Sequence, residues 1–304
     1  MYRLNLLHLA SAFNILNLVV QINNDTVAWT SAAFGLASAA SWGAGDFCGG
    51  VATKRAGGFE VVIGAQLVGA IGFLALALTT GEPVPSPASL IWCGVAGLAG
   101  AAGLLALYRA LAEGRMGVAA PISGMLSAAV PAAAGAAVEG IPHAITLGGF
   151  LLALLAVWLV ARTGDDAIEI GQLGLPVAAG FGFGLFIVII GRASGTAVFW
   201  PLVAARAASL AVLPFVAIAS GQSIRPARPA LLTIAIAGAF DAGGNAFLVM
   251  AAHAGRLDVA AVLSSLYPAG TVILAWLILK ERITRWQFAG LLTALVAIAA
   301  ITSR

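Results

Sequence analysis

The sequence predicts an all-α polytopic membrane protein: ten transmembrane helices in two inverted five-helix repeats. Three observations lead there. Apolar side chains make up 61% of the chain and charged ones only 9%, against about 45–50% and about 25% in a soluble domain. The apolar residues are gathered into runs of membrane length, about 20 residues each, divided by short breaks. The two halves of the chain also carry an ordered series of matching residues.

Residues 1–28 form the first segment. Leu4–Ile22 is apolar but carries Asn5, His8, Asn14, Asn17 and Gln21, and it lacks a small-residue cleavage site. A signal peptide is therefore disfavoured, and a peripheral segment is expected. Ten spans follow: Trp29–Ala52, Phe59–Thr80, Ser89–Leu111, Gly117–Val138, Ile145–Ala161, Leu173–Ala193, Val198–Ser220, Leu231–Ala252, Val259–Leu279 and Trp286–Thr302. Their breaks are turn-formers: Arg55-Ala56-Gly57-Gly58, the Pro83, Pro85 and Pro87 stretch, and Arg225-Pro226-Ala227-Arg228-Pro229. Asp165-Asp166-Ala167-Ile168-Glu169 is the largest charge run and falls midway. It reads as a linker, 164–172, between a first repeat at 29–163 and a second at 173–304. The 37 glycines suit helices that must approach closely in lipid. Cys48 and Cys93 lie in or beside apolar runs and read as small packing residues.

The repeat is visible by displacement. A shift of 141 places Gly97 on Gly238, Gly103 on Gly244, Gly114-Arg115 on Gly255-Arg256 and Ser123 on Ser264. One residue more brings Glu139 onto Glu281 and Gly148 onto Gly290, while in the first span a shift of 139 brings Gly43 onto Gly182 and Phe47 onto Phe186. Five spans per half leave the second half inserted upside down. Inverted repeats are a recurrent transporter design, with the site near mid-membrane between them. Duplication kept for packing alone is the competing reading.

The residues also resemble a known family. Ala254-Gly255-Arg256-Leu257-Asp258, then Ser264-Ser265-Leu266-Tyr267-Pro268, Lys280-Glu281-Arg282-Ile283-Thr284 and Gly290 are similar to the C-terminal repeat of the EamA family of the drug/metabolite transporter superfamily. The first-half counterpart keeps Ala110-Leu111-Ala112-Glu113-Gly114 and Pro131, but Glu139-Gly140-Ile141-Pro142 lacks the Arg and Thr. The resemblance covers about residues 29–303. It implies ten helices around a central cavity opened alternately to either side, in a multi-pass protein of the cell membrane. It further implies a secondary transporter moving small metabolites, amino acids or drugs, often outward, with no organic cofactor.

Physics selects the candidate site. A charge at bilayer mid-depth costs roughly 2.5–3.5 kcal/mol even on lenient scales, so a partner, a wet cavity or a cargo must face it. Asp241 and Arg206 lie near the middle of their runs. Asp241 and Asn245 are four apart and share a helix face. Asp241 is expected to line the cavity, binding a cationic group or a proton, or else to pair with Arg206 as a packing device. Arg206 is suited to a carboxylate. Trp42 and Asp46 share a face that suits a cation, with a solvated or capping role for Asp46 as the alternative. Gln66 is read as a helix–helix hydrogen bond or a ligand. Ser264, Tyr267 and Pro268 make a local bend that is a gating candidate, Pro freeing a backbone carbonyl.

Small-molecule substrate and lipid are the expected partners, with protons or an exchanged solute as coupling candidates. A net charge of +3 is too small and scattered for nucleic acid. An intramembrane hydrolase built on Ser123 with His143 or His253 lacks a nucleophile motif, and Gly180-Phe181-Gly182-Phe183-Gly184 follows no strand. A structural or assembly role remains the main alternative. Lys and Arg gather in the loops after odd-numbered spans, which would place both termini outside; the resemblance places them in the cytoplasm, and the latter topology is kept.

Overall fold

The computed structural model of the chain describes residues 29–53, 55–112, 116–162, 174–225, 228–280 and 283–302. The peripheral segment 1–28, the linker 164–172, and Gly114, Arg115 and Glu281 lie outside the described residues. Every regular element among those described is helical. In order these are α1 (29–53), α2 (Gly58–Thr80), α3 (Pro87–Ala112), α4 (Met116–Glu139), α5 (Ala144–Ala161), α6 (Gly174–Ala193), α7 (Phe199–Ala219), α8 (Leu231–Ala254), α9 (Leu257–Ser264), α10 (Tyr267–Leu279) and α11 (Arg285–Thr302). Among the described residues six segments are long and apolar enough to cross a membrane: α2, α6 and α7, with Pro87–Leu107, Arg228–Ala254 and Leu257–Ile278. The last of these comprises α9 and α10, so the expected ninth span is a broken one. Ala144–Val160 and Arg285–Ile301 are shorter apolar helices.

The ends follow local chemistry. α2 stops at Gly81, whose φ of 65° is the left-handed conformation glycine tolerates. α7 ends in a Schellman closure, with Gly221 N–H donating to Ile218 O and Gln222 N–H to Ala217 O. The break between α9 and α10 falls at Ser265–Leu266, just before Pro268, which is tolerated in the first turn of α10. Ser264 Oγ donates to Ala260 O at 2.7 Å and Ser265 Oγ to Val262 O at 2.7 Å, so both hydroxyls turn back onto α9.

The helices wear their apolarity on both sides. On α2, Leu67, Ile71, Leu74 and Leu78 are exposed, while Val62, Gln66, Gly69, Phe73 and Ala77 are buried. Lipid rather than water must cover the first stripe, and Gln66, the polar residue, faces inward. This is the pattern of an integral membrane protein.

Contacts recur between the halves. A Cβ on Gly43 would sit 2.7 Å from Tyr267 O, and one on Gly184 would sit 3.2 Å from Leu126 O. Gly244 packs on Trp42 and Gly103 on Phe183; Gly149 packs on Ile301 and Gly290 on Val160. In these three pairs every residue has its counterpart 141 positions away. Gly238 on Ala65 and Gly97 on Ala205 form a fourth pair, with 141 between the glycines and 140 between the alanines. In the first span the matching shift is thus 141, not 139: Gly43 corresponds to Gly184, because the shared carbonyl contact, rather than the run of glycines, sets the register; by the same test Gly290 corresponds to Gly149, not Gly148.

One end of the bundle is tied by polar groups. Glu82, between α2 and α3, accepts the Val198, Phe199 and Trp200 N–H groups at 2.5, 2.8 and 3.0 Å, closing the N-terminus of α7. Arg256 grips Asp258 at 3.1 and 2.7 Å and donates to Glu139 O and Gly140 O. The hydrogen bonds to Asp258 push the Arg256 guanidinium above the usual arginine range. Ser194 Oγ and a His253 ring nitrogen, 2.9 Å apart, join the ends of α6 and α8.

Candidate functional site

The candidate residues converge on a cavity of about 160 Å³ between the helices. That is close to the ~150 Å³ that holds one benzene molecule. Trp42 and Asp46 reach it from α1, Gln66 from α2, Arg206 from α7, Asp241 and Asn245 from α8, and Tyr267 from α10. Ser264 and Pro268 flank the helix break and are not among the lining residues.

Close packing of α1 on α8 makes the polar wall. Ser31, Ser38 and Ser41 each donate a side-chain hydrogen bond to an α8 carbonyl, of Ala251, Gly244 and Phe240, at 2.9, 2.8 and 2.7 Å. Such bonds average about 0.6 kcal/mol each in a membrane, so the seam holds by their number and by glycine packing. Gly244 leaves room for the Trp42 indole: a Cβ there would lie 2.3 Å from its Cδ1. The indole in turn meets the Tyr267 ring edge-on, centroids 6.2 Å apart.

Arg206 is held on four sides. It donates to Gln66 Oε1 and to Asp241 Oδ2. Its guanidinium lies 5.8 Å over the Phe73 ring, and its Nε would be 3.2 Å from a Cβ on Gly69. Gln66, Gly69 and Phe73 fall on one face of α2, at the three- and four-residue spacing that puts side chains one above another. The Arg206 side chain is 11% exposed and that of Asp241 40%. The expected pairing of Asp241 with Arg206 is therefore present, and both residues also line the cavity. Asn245 donates one amide N–H to Asp241 O at 2.7 Å, which fixes the side chain at the cavity wall. Asp46 opens to the cavity with no hydrogen bond or ion pair among the described residues.

The opposite wall was not anticipated. Leu104 and Leu107 of α3 and Phe183, Phe186 and Ile187 of α6 make its large side chains, with Gly100 and Ala101 between them and Ser127 of α4 beside them. The repeat held the signal once its register is corrected. At 141, Trp42 corresponds to Phe183, Asp46 to Ile187, Asp241 to Gly100 and Asn245 to Leu104, and all eight line the cavity. At 140, the register of Ala65 and Ala205, Gln66 corresponds to Arg206, its own hydrogen-bond partner. One wall is thus polar and its counterpart apolar.

Comparison with known proteins bears on this arrangement. Residues 171–303 match the EamA-like transporter family. The match falls on the part of the chain where the resemblance read from the sequence is strongest, and the family matched is one of transporters. The EamA-like half supplies Arg206, Asp241, Asn245 and Tyr267 to the cavity. Together with the apolar helices, the match supports a membrane transporter in the broad sense. Among solved structures 27 chains match. One, described only as "Crystal structure of protein", superposes with a TM-score of 0.76 at 16% identity, over 90% of this chain and 98% of its own. At that identity it shows the fold alone. No curated protein matches the chain.

Proposed function

We propose that the protein is a secondary transporter of the cell membrane, carrying a small solute by alternating access through the cavity between α1, α2, α7 and α8. The observation that carries this reading is the placement of Asp46, Arg206 and Asp241 in one cavity, within helices whose outer faces suit lipid. Charges are retained at such depth where something wet or ionic must pass. The mirrored glycine contacts support two inverted five-helix repeats, 29–163 and 173–304, that rock about the site. A cavity of about 160 Å³ favours a small metabolite over a large drug. The broken span at Ser264, Tyr267 and Pro268 is the proposed bend, since Tyr267 belongs to both the break and the cavity wall. Two carboxylates in the cavity make protons or an exchanged solute the proposed coupling partners.

The test is flux. Purified protein in proteoliposomes should take up a solute first identified by thermal shift, with saturation and with trans-stimulation by the same solute. Binding without flux, for every solute that binds, would leave a structural role as the better account. An imposed pH gradient that changes no flux would remove proton coupling.

A further inference from the structure

We infer that the cargo is a small amphipathic monocation, an ammonium group joined to a compact apolar body, and that Asp46 rather than Asp241 is its docking carboxylate. The inference rests on the transporter reading and specifies its substrate class. Charge within the cavity decides the sign. Asp46, Asp241 and Arg206 are the charged lining residues, two negative against one positive. Arg206 is committed: Gln66 and Asp241 accept its hydrogen bonds, and Phe73 and Gly69 confine it. Asp241 is committed with it. Asp46 makes no hydrogen bond or ion pair among the described residues, although it opens to the same space and lies within reach of the Asp241 charge. The carboxylate left without a partner is therefore Asp46, exposed to the cavity, where a bound cation would pair with it.

The walls decide the shape. Trp42 sits one helical turn from Asp46, and its ring stands edge-on to Tyr267. An ammonium at Asp46 thus meets an aromatic face as well as a carboxylate. Across the cavity Leu104, Phe183, Phe186 and Ile187 present only carbon. A cation hydrated all round would leave that wall unmatched, whereas an aryl- or alkylammonium fills it. The duplication explains the division: the polar wall of α1 and α8 and the apolar wall of α3 and α6 are counterparts that have diverged in chemistry.

Benzylammonium, benzyl alcohol and benzoate share one ring and differ by one charge each. Calorimetry in nanodiscs, corrected with empty discs, should rank benzylammonium first, by about tenfold or more, the factor one charge-assisted hydrogen bond supplies. Asp46→Asn should remove that preference while the melting temperature stays at the wild-type value, because the carboxylate holds no protein partner. Asp241→Asn frees Arg206 and should shift the preference toward benzoate. Equal binding of the three, tighter benzoate in the wild type, or an unchanged preference in Asp46→Asn would each overturn the assignment. Thiol labelling at Ala101→Cys separates this from failure of the transporter reading. Labelling from both membrane faces without charge discrimination refutes the cation and leaves transport standing; labelling from only one face or neither, whatever the charge preference, counts against alternating access.

Discussion

Glu82→Ala should destabilise the protein by about 3 kcal/mol, and the reason lies at the first turn of α7. Helix N-termini expose N–H groups without intrahelical acceptors. Here Val198, Phe199 and Trp200 direct theirs to one carboxylate at 2.5, 2.8 and 3.0 Å, and the following residue, Pro201, has none to offer. Losing an ordinary cap costs about 1 kcal/mol, and a hydrogen bond to a charged group is worth about 1.5–3 kcal/mol. Three donors at a half-buried end that water can partly reach give about 1 kcal/mol each, with the charge–dipole contribution of about 0.3–1 kcal/mol included. Glu82→Gln keeps one acceptor oxygen and loses the charge, so about half the effect should remain. The indole of Trp200 donates to the Glu82 backbone at 3.0 Å and survives both changes. Reversible unfolding in mixed micelles, titrated with dodecyl sulfate, measures the difference. A Glu82→Ala variant within about 0.5 kcal/mol of the parent, below the cost of a single cap, would refute the reasoning.

Other outcomes follow from the same geometry. Gly97→Ala places a Cβ 2.1 Å from the backbone oxygen of Ala205; α3 must leave α7, and the monodisperse peak in size exclusion should be lost. Gly72→Ala meets nothing within 4 Å, so it should raise stability by about 0.5–1 kcal/mol through helix propensity. Arg206→Gln strips Asp241 of its partner and should cost about 2 kcal/mol, less than a fully buried pair because the Asp241 side chain is 40% exposed, and adding Asp241→Asn should recover much of that; a double variant no more stable than the single would show that the pair is not coupled. Asp258→Asn, at a wholly buried position, should cost about 2 kcal/mol, less than a fully buried pair because the Arg256 side chain is 36% exposed. Arg256→Lys should not preserve stability at this junction, since the fork contacts both carboxylate oxygens and two backbone carbonyls at once.

Much of this molecule was legible beforehand because lipid imposes a simple code. A span must be apolar for about 20 residues and must satisfy its own backbone, so run lengths and turn residues located the helices within a residue or two, as at Gly58–Thr80 and Phe199–Ala219. Breaks inside apolar sequence were harder. Within 257–279 the bend read at Ser264, Tyr267 and Pro268 brackets the break, and the fold places it at Ser265–Leu266. Asp241 and Arg206 stood out because an ion in an apolar run is costly. Phe183, Phe186 and Leu104 were invisible as lining residues, since in such a sequence an apolar side chain is equally at home against lipid, a neighbour or a cavity.

The sequence alone determined the solvent, the helical class and the short list of ions needing partners, because each of these is set by transfer energies or by spacing along one chain. Only the tertiary structure decided which ion is spoken for. Arg206 meets Gln66 from 140 residues away and Asp241 from 35, and Asp46 is left open to the cavity. Pairing of charges depends on how helices lie against one another, and that is fixed by glycine contacts such as Gly244 on Trp42 and Gly69 on Arg206. A sequence shows which residues are small; where two small faces meet is a property of the packed bundle.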